Sequence, residues 1–288
     1  MLEFMTTYEP VIDRPPLKWP NGARIAIHTV VNIEYFQPGI PATSVNPGFA
    51  GLVPDVYNHS WRDYGVRAGI WRLMKVLDKH QVKATVALNG LVCRHYPRIV
   101  EEIVRRGWEC MGHGMTNSQM LGKLSVDEER SLIKETLDTI EQSTGHRPKG
   151  WLGPALAESW NTPALLEEAG LSYVCDWLND DEPYAMNTPR RALVSVPYSG
   201  EINDIHCFMR AGYQGPDYLQ ALKDQFDVLY EESAERPAVM AIPLHPFIMG
   251  HPYRSKYLDQ ALQYIAEKPG AWFATGSEIA QAYSAGRK

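Results

Sequence analysis

The sequence predicts an α/β protein with a parallel sheet, curling toward a distorted (β/α) barrel, and three observations carry that expectation. Short apolar runs rich in Val, Ile and Ala recur along the chain, and most are followed by a segment with helical spacing. No internal repeat or break in composition divides the chain, so one domain over 1–288 is expected, with an irregular arm over about 1–22. Polar residues able to do chemistry stand just after four of the runs: Glu34, His113, Asp176 and His245. In barrels and open α/β sheets, ligands bind at the C-terminal ends of the strands.

Taken in order, residues 2–22 are rich in Pro and read as an arm lying on the surface or on a neighbouring subunit. Arg24 to Val31 is a β-branched run after an Asn-Gly turn, the pattern of a strand buried on both faces. It delivers Asn32 and Glu34. Gln37 to His59 is a long Pro/Gly/Ser segment, of the kind that is functional or disordered. Ala68 to His80 has helical spacing, Val82 to Leu88 reads as a strand, and Tyr96 to Arg106 as a helix. Trp108 to Gly112 is a short strand that ends at His113, and Gly114 then lets the backbone approach a ligand. Ser125 and Glu128 form a capping box for a helix that ends near Gly145. Strands follow at Gly150 to Leu152, Tyr173 to Trp177, Val194 to Pro197, Val239 to Leu244 and Ala271 to Thr275. Helices follow at Thr162 to Ala169, Tyr218 to Ser233, Ser255 to Glu267 and Ser277 to Tyr283.

The formal net charge of -6 argues against nucleic acid or an anionic membrane as the main partner. No apolar run is long enough to cross a bilayer. The first residues lack the basic start and apolar core of a signal peptide, so a cytoplasmic location is expected. Cys93, Cys110, Cys175 and Cys207 have no CxxC spacing and read as buried small hydrophobes.

The order of motifs resembles the polysaccharide deacetylase superfamily, the NodB-homology fold, from about Arg24 to the last helix. The resemblance implies a distorted barrel of about seven strands. In metal-dependent members an Asp pair ends the first strand; here Asn32 and Glu34 stand there. The next motif is His-x-x-x-His, two metal ligands; here it is His113-Gly-Met-Thr-Asn117. The third carries an Arg two residues before a Pro; here that place is Leu152-Gly153-Pro154. A late Leu-x-His supplies the general acid; here Pro243-Leu244-His245 keeps the His. These departures are similar to one branch, the metal-independent allantoinases of the PuuE type and the cyclic-imide hydrolases. The shared features are Asn32-Ile-Glu34, Tyr64-Gly-Val-Arg67, Gly150-Trp151, and Pro197-Tyr198 followed by Asn203-Asp204.

The resemblance implies a hydrolase that opens a cyclic imide or ureide by water attack on a ring carbonyl. Such a step needs a base, an oxyanion donor and a proton for the leaving nitrogen. Glu34, His113 and His245 are the expected catalytic residues, with Glu34 activating water if burial raises its pKa. Asn32, Tyr35, Asn117, Trp151, Trp177, Tyr198 and Arg67 are the expected substrate contacts. Bland alternatives weigh against several. Asn32 and Asn117 could tie loop backbones, the Trp residues are more often core, and Arg67 reads first as an ion-pair partner of Asp63 or Glu34. No cofactor is expected, although a weakly bound zinc or similar ion would fall to Glu34, His113 and Asn117. The resemblance also implies a homodimer or homotetramer. A metal-dependent carbohydrate N-deacetylase and a non-catalytic binding member of the fold are the competing readings.

Overall fold

Period-two alternation within the strands decides which side chains face the interior of the sheet's curl. In β1 (Ile25–Ile33), Ile25, Ile27, Val31 and Ile33 join an outer core beneath the helices, while Ala26 and Val30 join an inner one. The same parity holds in β2 (Thr85–Leu88), β3 (Glu109–Gly112) and β8 (Val239–Leu244): Ala87, Met111 and Val239 are inner, and Val86, Leu88, Met240, Ile242 and Leu244 outer. Each fully buried Ile, Leu or Val stabilises the fold by about 1.5–3 kcal/mol.

The computed structural model describes residues 5–40, 46, 48 and 51–286. Besides those four strands it holds β4 (Gly150–Trp151), β5 (Tyr173–Val174), β6 (Tyr184–Ala185), β7 (Val194–Ser195) and β9 (Ala271–Phe273). The order is β6-β7-β5-β4-β3-β2-β1-β8, and β9 pairs with the start of β1. All these pairings are parallel except β6 with β7. The expected α/β architecture is therefore present, as a curled half-barrel with an antiparallel edge strand, β6, that the sequence did not reveal.

The helices are α1 (Val56–Tyr64), α2 (Ile70–Lys79), α3 (Gly90–His95), α4 (Pro97–Arg105), α5 (Val126–Thr144), α6 (Thr162–Glu168), α7 (Gly215–Glu232), α8 (Pro246–Met249), α9 (Pro252–Ala266) and α10 (Gly276–Gly286). The capping box at Ser125 is formed, and α5 ends on Gly145 with φ 77°. Three expectations are corrected. The segment expected to start a helix at Ala68 begins with a π turn over Gly65–Gly69, because Gly65 and Gly69 lie against the backbone of α8. The helix expected over Tyr96 to Arg106 is preceded by a further one, α3 over Gly90–His95, and α4 itself starts at Pro97 with Tyr96 as its cap. The arm, expected on the surface or on a neighbouring subunit, packs in part into its own sheet. Leu17 and Trp19 are buried in the inner core, and Arg14 pairs with Asp180 at 2.5 Å. Of the long segment 37–59, part lies outside the described residues, and its last four residues belong to α1.

Candidate active site

Glu34, His113 and His245 share the inner parity of β1, β3 and β8, and each stands just past the C-terminal end of its strand. Parallel pairing then brings the three side chains to one point. His113 Nε2 and His245 Nε2 each lie 3.7 Å from Glu34 Oε1. All three are held from behind. His113 Nδ1 is 2.6 Å from the carbonyl oxygen of Leu152, an atom that only accepts, so Nδ1 carries the proton. His245 Nδ1 is 2.6 Å from Asp204 Oδ1, and Asp204 Oδ2 accepts the His245 backbone N–H at 2.6 Å. Arg62 on α1 reaches Glu34 Oε2 at 3.3 Å, with its guanidinium over the Phe36 ring.

Asn117 completes the group, and its orientation follows from its neighbours. The Tyr35 backbone N–H donates to Asn89 Oδ1 at 2.7 Å. The Asn89 amide nitrogen therefore faces the other way, toward the His113 carbonyl and, at 2.9 Å, Asn117 Oδ1. Asn117 is left with its own nitrogen toward Glu34 Oε1, at 2.7 Å. The loop is pinned further by Asn117 N–H and Thr116 Oγ1, which both donate to the Tyr35 carbonyl.

The charges follow from these contacts. Burial is the largest influence on Glu34 and would push its pKa up. The His113 ring, His245 and Arg62 outweigh it and hold the carboxylate at about 2. This corrects the expectation of a raised Glu34. His245 moves the other way. Burial would lower it, but the charge and hydrogen bond of Asp204, with Glu34, raise it above 6.5. His113 Nε2 is buried with no hydrogen-bond partner. It faces the Glu34 carboxylate across a gap too wide for a direct hydrogen bond. A small molecule such as water, placed beside the pair, can reach both atoms and bridge them.

The other expected contacts divide. Asn32 is buried inside the sheet, its amide donating to the Tyr198 hydroxyl at 3.0 Å and to the Leu244 carbonyl at 3.3 Å. Asn32 and Tyr198 thus brace β1 and the strand end after β7, one layer below Glu34. Tyr35 is half-buried with its ring stacked on His95. Trp151 is fully buried against Gly112 and the α5 side chains, because its parity is outer. Trp177 is half-buried and walls a neighbouring cavity. Arg67 is mostly exposed and bonded to Asp63. Substrate contact is therefore withdrawn for Trp151, which is enclosed in the core, and for Arg67, which faces away on the surface. Two residues of the site were not singled out for it. Arg62 carried no sequence signal, and Asp204 stood only as part of an Asn-Asp pair.

The metal set expected at Glu34, His113 and Asn117 does not fit. Asn117 turns an N–H, not an oxygen, toward the site, and an amide N–H cannot be a ligand. Among the described residues no three His, Cys, Asp or Glu side chains are arranged to hold an ion.

Residues 59–174 match the family model for polysaccharide deacetylase. The chain is 31% identical over 302 aligned positions to a Schizosaccharomyces pombe protein named "Putative polysaccharide deacetylase", covering 93% of this chain and 92% of that one. Its structure is similar to that of the allantoinase PuuE, with TM-score 0.86, 28% identity, and 97% and 98% of the two chains covered. It is also similar to a probable polysaccharide deacetylase from Pseudomonas aeruginosa, with TM-score 0.85, 30% identity, and 95% of each chain covered. With a relative above 30% identity along nearly its full length, and the half-barrel and strand-end site described here, the chain belongs to the polysaccharide deacetylase family.

Proposed function

We propose that this hydrolase of carbon–nitrogen bonds opens a cyclic imide or ureide ring. One observation carries the reading: where the family pattern has a second metal-binding His, Asn117 donates an N–H to Glu34. Such a site suits a substrate that needs little Lewis-acid help. An imide or ureide nitrogen leaves as a resonance-stabilised anion, unlike the amine of an N-acetyl sugar. Likeness to an allantoinase, which by its name acts on a ureide ring, supports the same choice.

In this mechanism a water beside the pair bridges Glu34 Oε1 and His113 Nε2. Glu34 is ionised and pinned by Asn117 and Arg62, and orients the water. His113 Nε2 takes the proton as the water oxygen attacks the ring carbonyl, and Glu34 stabilises the imidazolium that forms. His245, charged through Asp204, polarises the carbonyl oxygen and then delivers a proton to the departing nitrogen. An assembly of two or four copies goes with this reading, and light scattering on the purified protein tests it.

The deciding experiment is a substrate panel of succinimide, glutarimide, phthalimide, hydantoin, allantoin and an N-acetylglucosamine oligomer. Each is run on chelator-treated protein and again with zinc added. Ring opening that survives chelation is expected. Acetate release from the oligomer alone would return the protein to carbohydrate deacetylation, and silence across the panel would favour a binding protein.

A further inference from the structure

Asp176 stands two residues past β5 on the outer parity, so it misses the Glu34 cluster and lines a different cavity of about 500 Å³. Glu158, Trp160, Trp177 and Leu156 line it too, and no Lys, Arg or His among the described residues does. Asp176 is only 9% exposed. Apart from each other, with the Trp177 ring nitrogen beside Glu158, its Oδ2 and the buried Glu158 Oε1 meet no donor among the described residues. Burial, and then the charge of Asp176, push the Glu158 carboxyl far up, and burial raises Asp176. Two facing carboxyl groups are stable only with a proton or a cation between them. A third carboxylate, Glu129, lies close by but is already satisfied by the Ser159 and Thr162 hydroxyls.

The cavity is also joined to the candidate active site by a single peptide unit. The carbonyl of Leu152 accepts from His113 Nδ1, and the N–H of the same peptide, on Gly153, donates to Asp176 Oδ1 at 2.6 Å. Charge on Asp176 polarises that peptide and strengthens the carbonyl's hold on His113.

We propose that this cavity is a second binding site, for a compact organic cation bearing N–H donors, and that its occupancy is felt at His113 through the Leu152–Gly153 peptide. The carboxyl pair supplies charge-assisted acceptors, and Trp160 and Trp177 supply aromatic faces for the cation. Its volume lies in the range of small-molecule sites. A metal ion is a poorer occupant, because no three-donor set is present among the described residues. The entering cation displaces the proton shared by Glu158 and Asp176, which goes to solvent.

The test uses propylammonium as probe and propan-1-ol as its neutral counterpart, with binding read by tryptophan fluorescence and by calorimetry in two buffers of different ionisation heat. No turnover is needed, so the result is independent of the ring-opening reading. Saturable binding of propylammonium but not of the alcohol is expected, with proton release. Glu158→Gln should weaken it about tenfold, as loss of one charged contact implies, and Trp160→Ala, at an exposed position that leaves folding intact, several-fold. In wild-type protein the His113 imidazole ¹⁵N resonances should move as the site fills. Equal binding of the alcohol, unchanged affinity in both variants, or no saturation would overturn the site. Saturation that leaves His113 still would overturn the link.

Discussion

Two buried clusters of Glu and His sit at opposite ends of the same strands, and their charges are opposite in kind. At the N-terminal end, His28 Nε2 meets the Thr85 hydroxyl, which donates to Glu109; the Ser277 hydroxyl and backbone N–H also donate to Glu109. Among the described residues neither group forms an ion pair. Burial lowers His28 to about 4 and raises Glu109, so the imidazole is neutral at pH 7. At the C-terminal end, Glu34 is held down at about 2 and His245 is raised, because Arg62, Asp204 and the two rings supply opposite charges. Burial acts in the same direction at both ends. What differs is whether neighbours bring hydroxyls or full charges. The hydroxyl-lined cluster closes the base of the sheet under α10; the charged one keeps a buried ring nitrogen, His113 Nε2, without a hydrogen-bond partner.

The sharpest way to break this contrast is to make one substitution at both ends. Glu34→Gln should reduce kcat/KM for ring opening by about 10²–10⁴-fold, the usual worth of a carboxylate that orients the reactants and stabilises the imidazolium. Glu109→Gln should leave kcat/KM nearly unchanged, because Glu109 lies at the far end of the strands, and should cost about 1–3 kcal/mol in stability, because one acceptor of the Thr85 and Ser277 donors is lost. Equal losses would mean that the two ends are alike.

Asp204→Asn comes next, at about 10²-fold in kcat/KM. It should also move pH dependence. His245 is raised in the folded state, so its contribution to stability is complete below 6.5 and is lost as pH rises through the raised value. Glu34 is depressed, so its contribution is present above 4.5 and is lost as pH falls toward about 2. Stability should therefore be greatest between 4.5 and 6.5 as far as these groups decide it. Asp204→Asn should shift the alkaline limb to lower pH and leave the acid limb in place, in both activity and urea melts. Arg62→Met removes one counter-charge from buried Glu34 and should cost about 3 kcal/mol in urea unfolding, with the Glu34 pKa rising. The smallest effect is expected from Arg67→Ala, whose side chain is mostly exposed; kcat/KM should not change, and a change would put Arg67 back at the site.

The reactive side chains were legible because parallel strands put their ends together and a period of two fixes the face. Glu34, His113 and His245 needed only those two rules. Arg62 did not show, because it arrives from a helix 28 positions away from Glu34 and no pattern ties the two. Arg67 stood among the substrate contacts beside its first reading as an ion-pair partner of Asp63 or Glu34, and the pair with Asp63 is the one formed; five residues along a helix turn the side chain by roughly 140°, which takes it off the face that Arg62 uses. Trp151 and Asp176 failed on parity alone, since the one-residue offset from the inner series sends both outward. The sign of the Glu34 shift was beyond the sequence for a related reason: burial is readable from an apolar strand, but the converging cations belong to other elements.

The most direct test is a ¹⁵N NMR titration of the histidine rings. Nε2 of His245 should stay protonated past pH 6.5, while His28 remains a neutral ring until the pH approaches about 4. A neutral His245 at pH 6 would leave the candidate site without its acid and contradict the assignment of opposite charge states to the two ends.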